Sequence, residues 1–133
     1  MGDYTVKRLD EMEAIFGGSF RRTGAELGVE SFGMQIFDMP AGADQYPEHD
    51  HSHDGQEEVY VVLRGSGEVE LDGERVPVDT ERIIRVGSAT KRKLWPGPDG
   101  MRVLAIGGTP GAVYEPKGIS ELGAPDPYES VPT

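Results

Sequence analysis

The chain has 133 residues and a net charge of -11, because 24 acidic residues outnumber 13 basic ones. This charge repels a nucleic acid backbone or an anionic membrane surface, so we expect neither as a partner. The sequence has no cysteine, which excludes disulfides, thiolate metal sites and cysteine nucleophiles. It also lacks the apolar run of a signal peptide and the roughly 20 apolar residues of a membrane span, and we expect a soluble, cytoplasmic protein.

The amino-terminal segment predicts one short helix. Asp10 is a suitable helix cap, and Met12, Ile15 and Phe16 are apolar residues at helical spacing. Gly17 is a suitable end to this helix. From residue 20 onward the pattern becomes strand-like.

The middle of the chain predicts a series of short strands. Apolar residues alternate at positions 32, 34 and 36, and the run EEVYVVLRG at 57–65 is typical of a central strand covered on both faces. Asp72 and Gly73 predict a two-residue hairpin turn of the primed type. The cluster of proline and glycine at 96–100 predicts another turn between strands.

Strands at these intervals predict an all-β fold, either a closed barrel or a sandwich. The length suits a single domain over residues 1–133. We expect the barrel core at about residues 20–110. The remaining segment, at about residues 111–133, is rich in proline and glycine and predicts an irregular carboxyl-terminal tail.

All three histidines of the chain lie in one segment, and His49, His51 and His53 are two residues apart. On an extended strand they point to the same face, and only one of the adjacent Glu57 and Glu58 can join them. Imidazole and carboxylate groups are the usual ligands for a divalent first-row metal where thiolate is absent. The segment is also compatible with a solvated polar turn.

This histidine segment resembles the first motif of the cupins, which are small β-barrel proteins. The cupin pattern runs His-x-His, three or four residues, Glu, six residues, Gly, and His51, His53, Glu58 and Gly65 match each spacing. The resemblance extends with decreasing strength from about residue 32 to residue 108. It implies an all-β, single-domain jelly-roll barrel.

The resemblance leaves the choice of metal-binding histidines open. Cupins usually have a turn a few residues before the first histidine. If that turn is at Gly42, the distance in sequence to the pair His49 and His51 is closer to the cupin spacing. The distance from Glu58 back to the histidines instead matches the pair His51 and His53. His51 belongs to both pairs, and the remaining histidine either orients a ligand or faces solvent.

The sequence departs from the cupin pattern at the second motif, where cupins generally supply another histidine. That position falls at or near Arg92, which stays protonated and has no lone pair for a metal. An inward Arg92 would repel a divalent cation, pair with Glu58, or bind a carboxylate or phosphate of a substrate. The alternative is a solvated basic edge.

The resemblance implies a homodimer that binds a small organic ligand and one divalent metal, which would be Fe, Mn, Ni or Zn. The candidate metal ligands are His49, His51, His53 and Glu58. Such a centre suits a metal-dependent oxidoreductase of the dioxygenase type, an isomerase or a decarboxylase. The alternative is a non-enzymatic binding protein with a degenerate metal site, in which the ligand contacts a polar pocket floor formed by His51, Glu58, Tyr60 and Arg92.

Overall fold

The computed structural model describes residues 2–115 and 118–126. Within these residues the elements are one short α-helix, α1 (Thr23–Leu27), three 3₁₀ turns (Leu9–Glu11, Phe16–Gly18 and Gly118–Ser120) and seven β-strands. The strands are β1 (Ala14–Ile15), β2 (Phe20–Arg21), β3 (Gly33–Met39), β4 (Glu57–Leu71), β5 (Glu74–Asp79), β6 (Ile83–Val86) and β7 (Arg92–Gly108). None of the described helices has the length and apolar character needed to span a membrane.

The strands form one antiparallel sheet in the order β1-β2-β3-β7-β4-β5. The two long strands, β4 and β7, pair along most of their length, and β4 also pairs with β6 in its first half and with β5 in its second half. Among the described residues, the end strands β1 and β5 do not pair with each other. The sheet therefore wraps around the core as a jelly roll without closing completely, and the predicted all-β fold is confirmed.

The hairpin turn between β4 and β5 matches the prediction. Asp72 and Gly73 have φ angles of 49° and 88°. A positive φ at both central residues defines a primed turn. The backbone twist of such a turn matches the twist of the two antiparallel strands that it joins.

The turn predicted at residues 96–100 is a bulge inside β7, which continues to Gly108. Gly65 and Gly67 of β4 pair with β7 on either side of the bulge, so Ser66 alone opposes residues 97–100. A side chain at either glycine would collide with backbone oxygens of β7. The glycines thus allow two backbones to approach closely, and β7 bends sharply instead of ending.

The helix predicted between Asp10 and Gly17 does not form there; the chain has one short α-helix in its described amino-terminal part, α1, which begins at Thr23. The segment between Asp10 and Gly17 instead forms 3₁₀ turns and β1. Ile15 pairs with Phe20 across β1 and β2, and both side chains are buried. Tertiary packing of these two residues therefore overrides the helical pattern.

The core lies between the two halves of the bent sheet and contains apolar residues from β3 to β7. Its most buried members include Tyr60, Val62, Val69, Leu94 and Val103. Along β4, Tyr60 and Val62 alternate with more exposed side chains, as the period of a strand requires.

The irregular carboxyl-terminal segment packs against the amino-terminal part of the chain through Arg22, whose side chain is 1% exposed. Arg22 donates hydrogen bonds to the carbonyl oxygens of Ile119 at 2.7 Å and Ala124 at 2.5 Å, and it forms an ion pair with Glu13. The described part of the predicted tail is therefore irregular but anchored through Ile119 and Ala124. Residues 116–117 and 127–133 lie outside the described residues.

Candidate metal site

The segment that carries the histidines is held across the beginning of β7 by backbone hydrogen bonds. The N–H of His49 donates to the carbonyl oxygen of Arg92 at 3.0 Å, and the N–H of Arg92 donates to the carbonyl oxygen of His49 at 2.8 Å. The N–H of His51 donates to the carbonyl oxygen of Ser88 at 2.8 Å. These bonds fix His49 and His51 beside the second residue of β4, Glu58.

His49, His51 and Glu58 converge at the wall of a cavity of about 1320 Å³. The distance from His51 Nε2 to Glu58 Oε1 is 3.3 Å, and the distance from His49 Nε2 to the same oxygen is 3.8 Å. One candidate ligand atom from each residue lies within 4.8 Å of the other two. Two imidazole nitrogens and one carboxylate oxygen form a donor set that fits a divalent first-row metal.

The other ring nitrogens of these histidines contact oxygens that fix the ring orientation. His51 Nδ1 lies 3.2 Å from both carboxylate oxygens of Asp54. His49 Nδ1 lies 3.0 Å from the carbonyl oxygen of Pro47. An Nδ1–H that donates to these oxygens leaves the Nε2 lone pair free for a metal, which is the usual arrangement around metal-binding histidines.

His53 does not share the arrangement of the other two histidines. Its side chain is 73% exposed, and its Nε2 lies 3.4 Å from Asp54. His51, His53 and Asp54 form a second group of possible metal ligands, although this group is more exposed and shares His51 with the first. A metal-binding role for His53 stays a prediction.

Two tyrosines extend the polar cluster from Glu58 into the core. The buried Tyr60 donates a hydrogen bond from its hydroxyl group to Glu58 Oε1 at 2.8 Å, and the hydroxyl oxygens of Tyr60 and Tyr46 are 3.3 Å apart. Burial, together with the nearby Glu58 carboxylate, raises the pKa of both tyrosines. Both phenols therefore stay protonated at neutral pH and remain able to donate.

Arg92 faces the interior, so it does not belong to a solvated basic edge. Its side chain is 0% exposed, its Nε lies 3.5 Å from Glu58 Oε1, and its Nη2 donates to the carbonyl oxygen of Gly87 at 3.0 Å. Tyr60 and Arg92 do not line the cavity, whereas Glu58 and Tyr46 do. Direct contact of Tyr60 or Arg92 with a ligand stays a prediction.

The charge state of Glu58 is set by opposing effects. Burial alone would raise the pKa of Glu58, but the adjacent His51 ring, the hydrogen bond from Tyr60 and the charge of Arg92 lower the pKa below its usual value. The adjacent Glu58 carboxylate raises the pKa of His51. Glu58 is therefore ionised at neutral pH, as a carboxylate ligand must be.

The rest of the cavity wall combines aromatic and polar side chains from both ends of the chain. Gln35, Gln56 and Asp54 supply polar groups, and the aromatic residues include Phe16, Phe20, Phe37, Tyr46 and Tyr114. Apolar walls with a few convergent polar groups are typical of sites for small organic molecules.

The fold and the site together define a small jelly-roll protein with a histidine–glutamate cluster at its cavity. The cupin domain family matches residues 35–107, which is 73 of the 133 residues and extends from within β3 almost to the end of β7. The chain therefore belongs to the cupin domain family.

The chain is also similar to several solved structures. A cupin protein from Bacteroides fragilis is 22% identical, with a TM-score of 0.68 over 88% of this chain and 93% of that chain. An RmlC-like cupin protein from Desulfovibrio desulfuricans is 28% identical, with a TM-score of 0.52 over 59% and 72%. A putative sugar phosphate isomerase from Acidithiobacillus ferrooxidans is 20% identical, with a TM-score of 0.56 over 73% and 65%. A search of curated proteins finds no match.

Proposed function

We propose that this chain binds one divalent metal ion through His49, His51 and Glu58, and a small organic ligand in the adjoining cavity. The observation that carries this proposal is the convergence of two imidazole Nε2 atoms on one carboxylate oxygen. Asp54 and Pro47 hold the opposite nitrogens, so the rings are already oriented. Two histidines and one carboxylate leave other metal positions open for water and ligand.

The proposed metal is Fe, Mn, Ni or Zn, each of which accepts nitrogen and oxygen ligands. Such an ion would polarise a ligand oxygen as a Lewis acid, and iron would add oxidative chemistry. The residues of the chain supply the surroundings: Tyr60 holds the Glu58 carboxylate, and the aromatic wall excludes water from a bound organic molecule. These features support a metal-dependent oxidoreductase or an isomerase, and a similar solved structure is named as a putative sugar phosphate isomerase.

The second candidate function is non-enzymatic binding of a small molecule without a metal. Arg92 favours it, because a buried guanidinium 3.5 Å from Glu58 already neutralises the carboxylate. A cupin with such an internal cation does not need a metal to balance the charge of its glutamate.

Metal analysis of two matched variants distinguishes the two functions. We expect the purified protein to bind about one metal ion per chain, and His51→Ala to weaken the affinity at least ~100-fold in isothermal titration calorimetry. His53→Ala is the comparison, since it removes the same group from an exposed position two residues away. If the natural chain binds no metal after reconstitution, or neither variant weakens metal binding, the metal function is wrong and the non-enzymatic binding function is favoured. An equal loss of affinity in both variants would instead assign the metal to the group His51, His53 and Asp54.

We also propose that two copies associate through the outer face of the sheet. Val61 lies between Leu104 of β7 and Ile83 of β6, and Leu63 follows it on the same side of β4. Leu63 and Ile83 are 45% and 72% exposed, and an exposed apolar patch of this kind is typical of an association surface. Light scattering after size-exclusion chromatography should give the mass of a dimer for the natural chain and the mass of a monomer for Leu63→Asp. A monomer of the natural chain at micromolar concentration would contradict the proposed association.

A further inference from the structure

We propose that Arg92 makes the metal site selective for Zn²⁺ and Ni²⁺ over Mn²⁺, because it competes with the metal for Glu58. The inference rests on the proposed metal-binding function and concerns a residue that is not itself a ligand. Arg92 is therefore a positioning and selectivity residue.

The first observation is the incomplete pairing of a buried charge. Arg92 is fully buried, and its Nε and Nη1 have no hydrogen-bond partner among residues 2–115 and 118–126. Its Nη2 donates to the carbonyl oxygens of Gly87 at 3.0 Å and Val86 at 3.4 Å. A buried guanidinium needs an opposite charge nearby, and within the described chain Glu58 is the carboxylate within ion-pair distance of it.

The second observation is that the contacts of Glu58 meet at a single oxygen. Its Oε1 accepts the hydroxyl group of Tyr60 at 2.8 Å, faces His51 Nε2 at 3.3 Å and lies 3.5 Å from Arg92 Nε. A metal at this oxygen shares it with a phenol and a guanidinium. The carboxylate therefore offers a metal less negative charge than an unshared carboxylate would.

Among the described residues, the polar contacts of the Arg92 guanidinium are to Glu58, Val86 and Gly87 and include neither imidazole. The Nδ1 atoms of His49 and His51 face Pro47 and Asp54, and both Nε2 atoms face Glu58 Oε1, where the metal would lie. Arg92 therefore weakens the oxygen part of the donor set and spares the nitrogen part.

This difference has a predictable effect on metal preference. Imidazole suits Zn²⁺ and Ni²⁺, whereas carboxylate and water suit Mn²⁺. The repulsion between Arg92 and the ion is common to all divalent metals, so it cancels in a ratio of dissociation constants. The Mn²⁺ to Zn²⁺ ratio thus isolates the competition for Glu58.

The test measures the affinities of Mn²⁺, Ni²⁺ and Zn²⁺ for Arg92→Met and Arg92→Lys. We expect Arg92→Met to increase the affinity for Mn²⁺ at least ~10-fold. The affinities for Zn²⁺ and Ni²⁺ should increase by a clearly smaller factor. Arg92→Lys keeps the charge and should retain the natural preference. Lys91→Met is the matched control, because it removes one positive charge from the exposed neighbouring residue and should change nothing.

Circular dichroism and thermal melting of the metal-free variants establish that each one is folded. If Arg92→Met does not fold, Arg92→Gln takes its place, because it removes the charge and keeps a donor for Gly87. A purely structural role would weaken all three metals by one factor, and an unchanged Mn²⁺ to Zn²⁺ ratio would overturn the inference. If only the uncharged variants bind metal, the natural chain has no metal preference for Arg92 to set, and both the inference and the metal function are overturned. If no variant binds metal, both are overturned.

Discussion

His49 and Arg92 are joined by two reciprocal backbone hydrogen bonds, with N to O distances of 3.0 and 2.8 Å. The bridge connects the segment that carries the candidate metal-binding histidines to the first residue of β7. A residue pair that is 43 positions apart in the sequence thus holds the candidate site together.

Hydrogen exchange tests whether this bridge is stable in solution. We expect the amides of His49, His51 and Arg92 to exchange at least ~10-fold more slowly than that of His53, because each of the three donates to a carbonyl oxygen. The measurement is amide exchange followed by NMR. Equal exchange at His51 and His53 would show that the segment opens freely.

The contact between Asp54 and His51 should influence metal affinity without direct ligation. Asp54→Ala removes the acceptor that orients His51, and we expect metal binding to weaken about 10- to 100-fold. Asp50→Ala is the control, since Asp50 accepts from Ser52 and is not in the cluster of His49, His51 and Glu58. Equal affinities of the two variants in calorimetry would refute the orienting role.

The Arg22 anchor should contribute strongly to stability. Arg22→Met leaves the carbonyl oxygens of Ile119 and Ala124 without their donor, and we expect the free energy of unfolding to fall by about 3 kcal/mol. Arg82→Met breaks an exposed ion pair with Asp79 and should cost at most about 1 kcal/mol. Urea unfolding compares the two variants, and a loss for Arg22→Met no larger than the control would contradict the anchor.

Glu26 should make the fold sensitive to acid. Hydrogen bonds from Lys7 and from the N–H of Glu13 lower the pKa of Glu26 below its ordinary value of 4.5. A lowered pKa contributes stability above the unfolded value, and this contribution is lost as the pH falls through the folded pKa.

The acid sensitivity is measured by the melting temperature of Glu26→Gln between neutral pH and a pH of about 3. We expect this variant to lose less stability on acidification than the natural chain, because its side chain does not titrate. The exposed Glu30→Gln should behave like the natural chain. A pH profile of Glu26→Gln that is identical to that of Glu30→Gln would contradict the role of Glu26.

Local chemistry predicted the parts of the fold that depend on neighbouring residues. The β-branched run forms β4, and Asp72 and Gly73 form the primed turn. The segment 96–100 was wrongly predicted as a turn, because its local composition does not reveal that Gly65 and Gly67 on another strand make room for a bulge.

The candidate site was predictable to a similar degree. The spacing of the motif identified His51 and Glu58. It could not decide whether His49 or His53 lies beside Glu58, because that choice depends on the pairing of His49 with β7, which is not visible in the sequence. The inward direction of Arg92 depends on the same pairing. Asp54 was missed, although an acidic residue three positions after a histidine is a signal that could have identified it. The homodimer and the cytoplasmic location stay predictions.

The Arg22 anchor also means that the two ends of the chain share one wall of the cavity. The 3₁₀ turns Phe16–Gly18 and Gly118–Ser120 both border it, and the N–H of Phe16 donates to Asp126 at 2.7 Å. The residues that determine the shape of this wall are thus separate in the sequence from His49, His51 and Glu58. Substitutions in these two turns can therefore change the shape of the cavity without altering His49, His51 or Glu58, so the cavity shape and the candidate metal site can evolve independently in this fold.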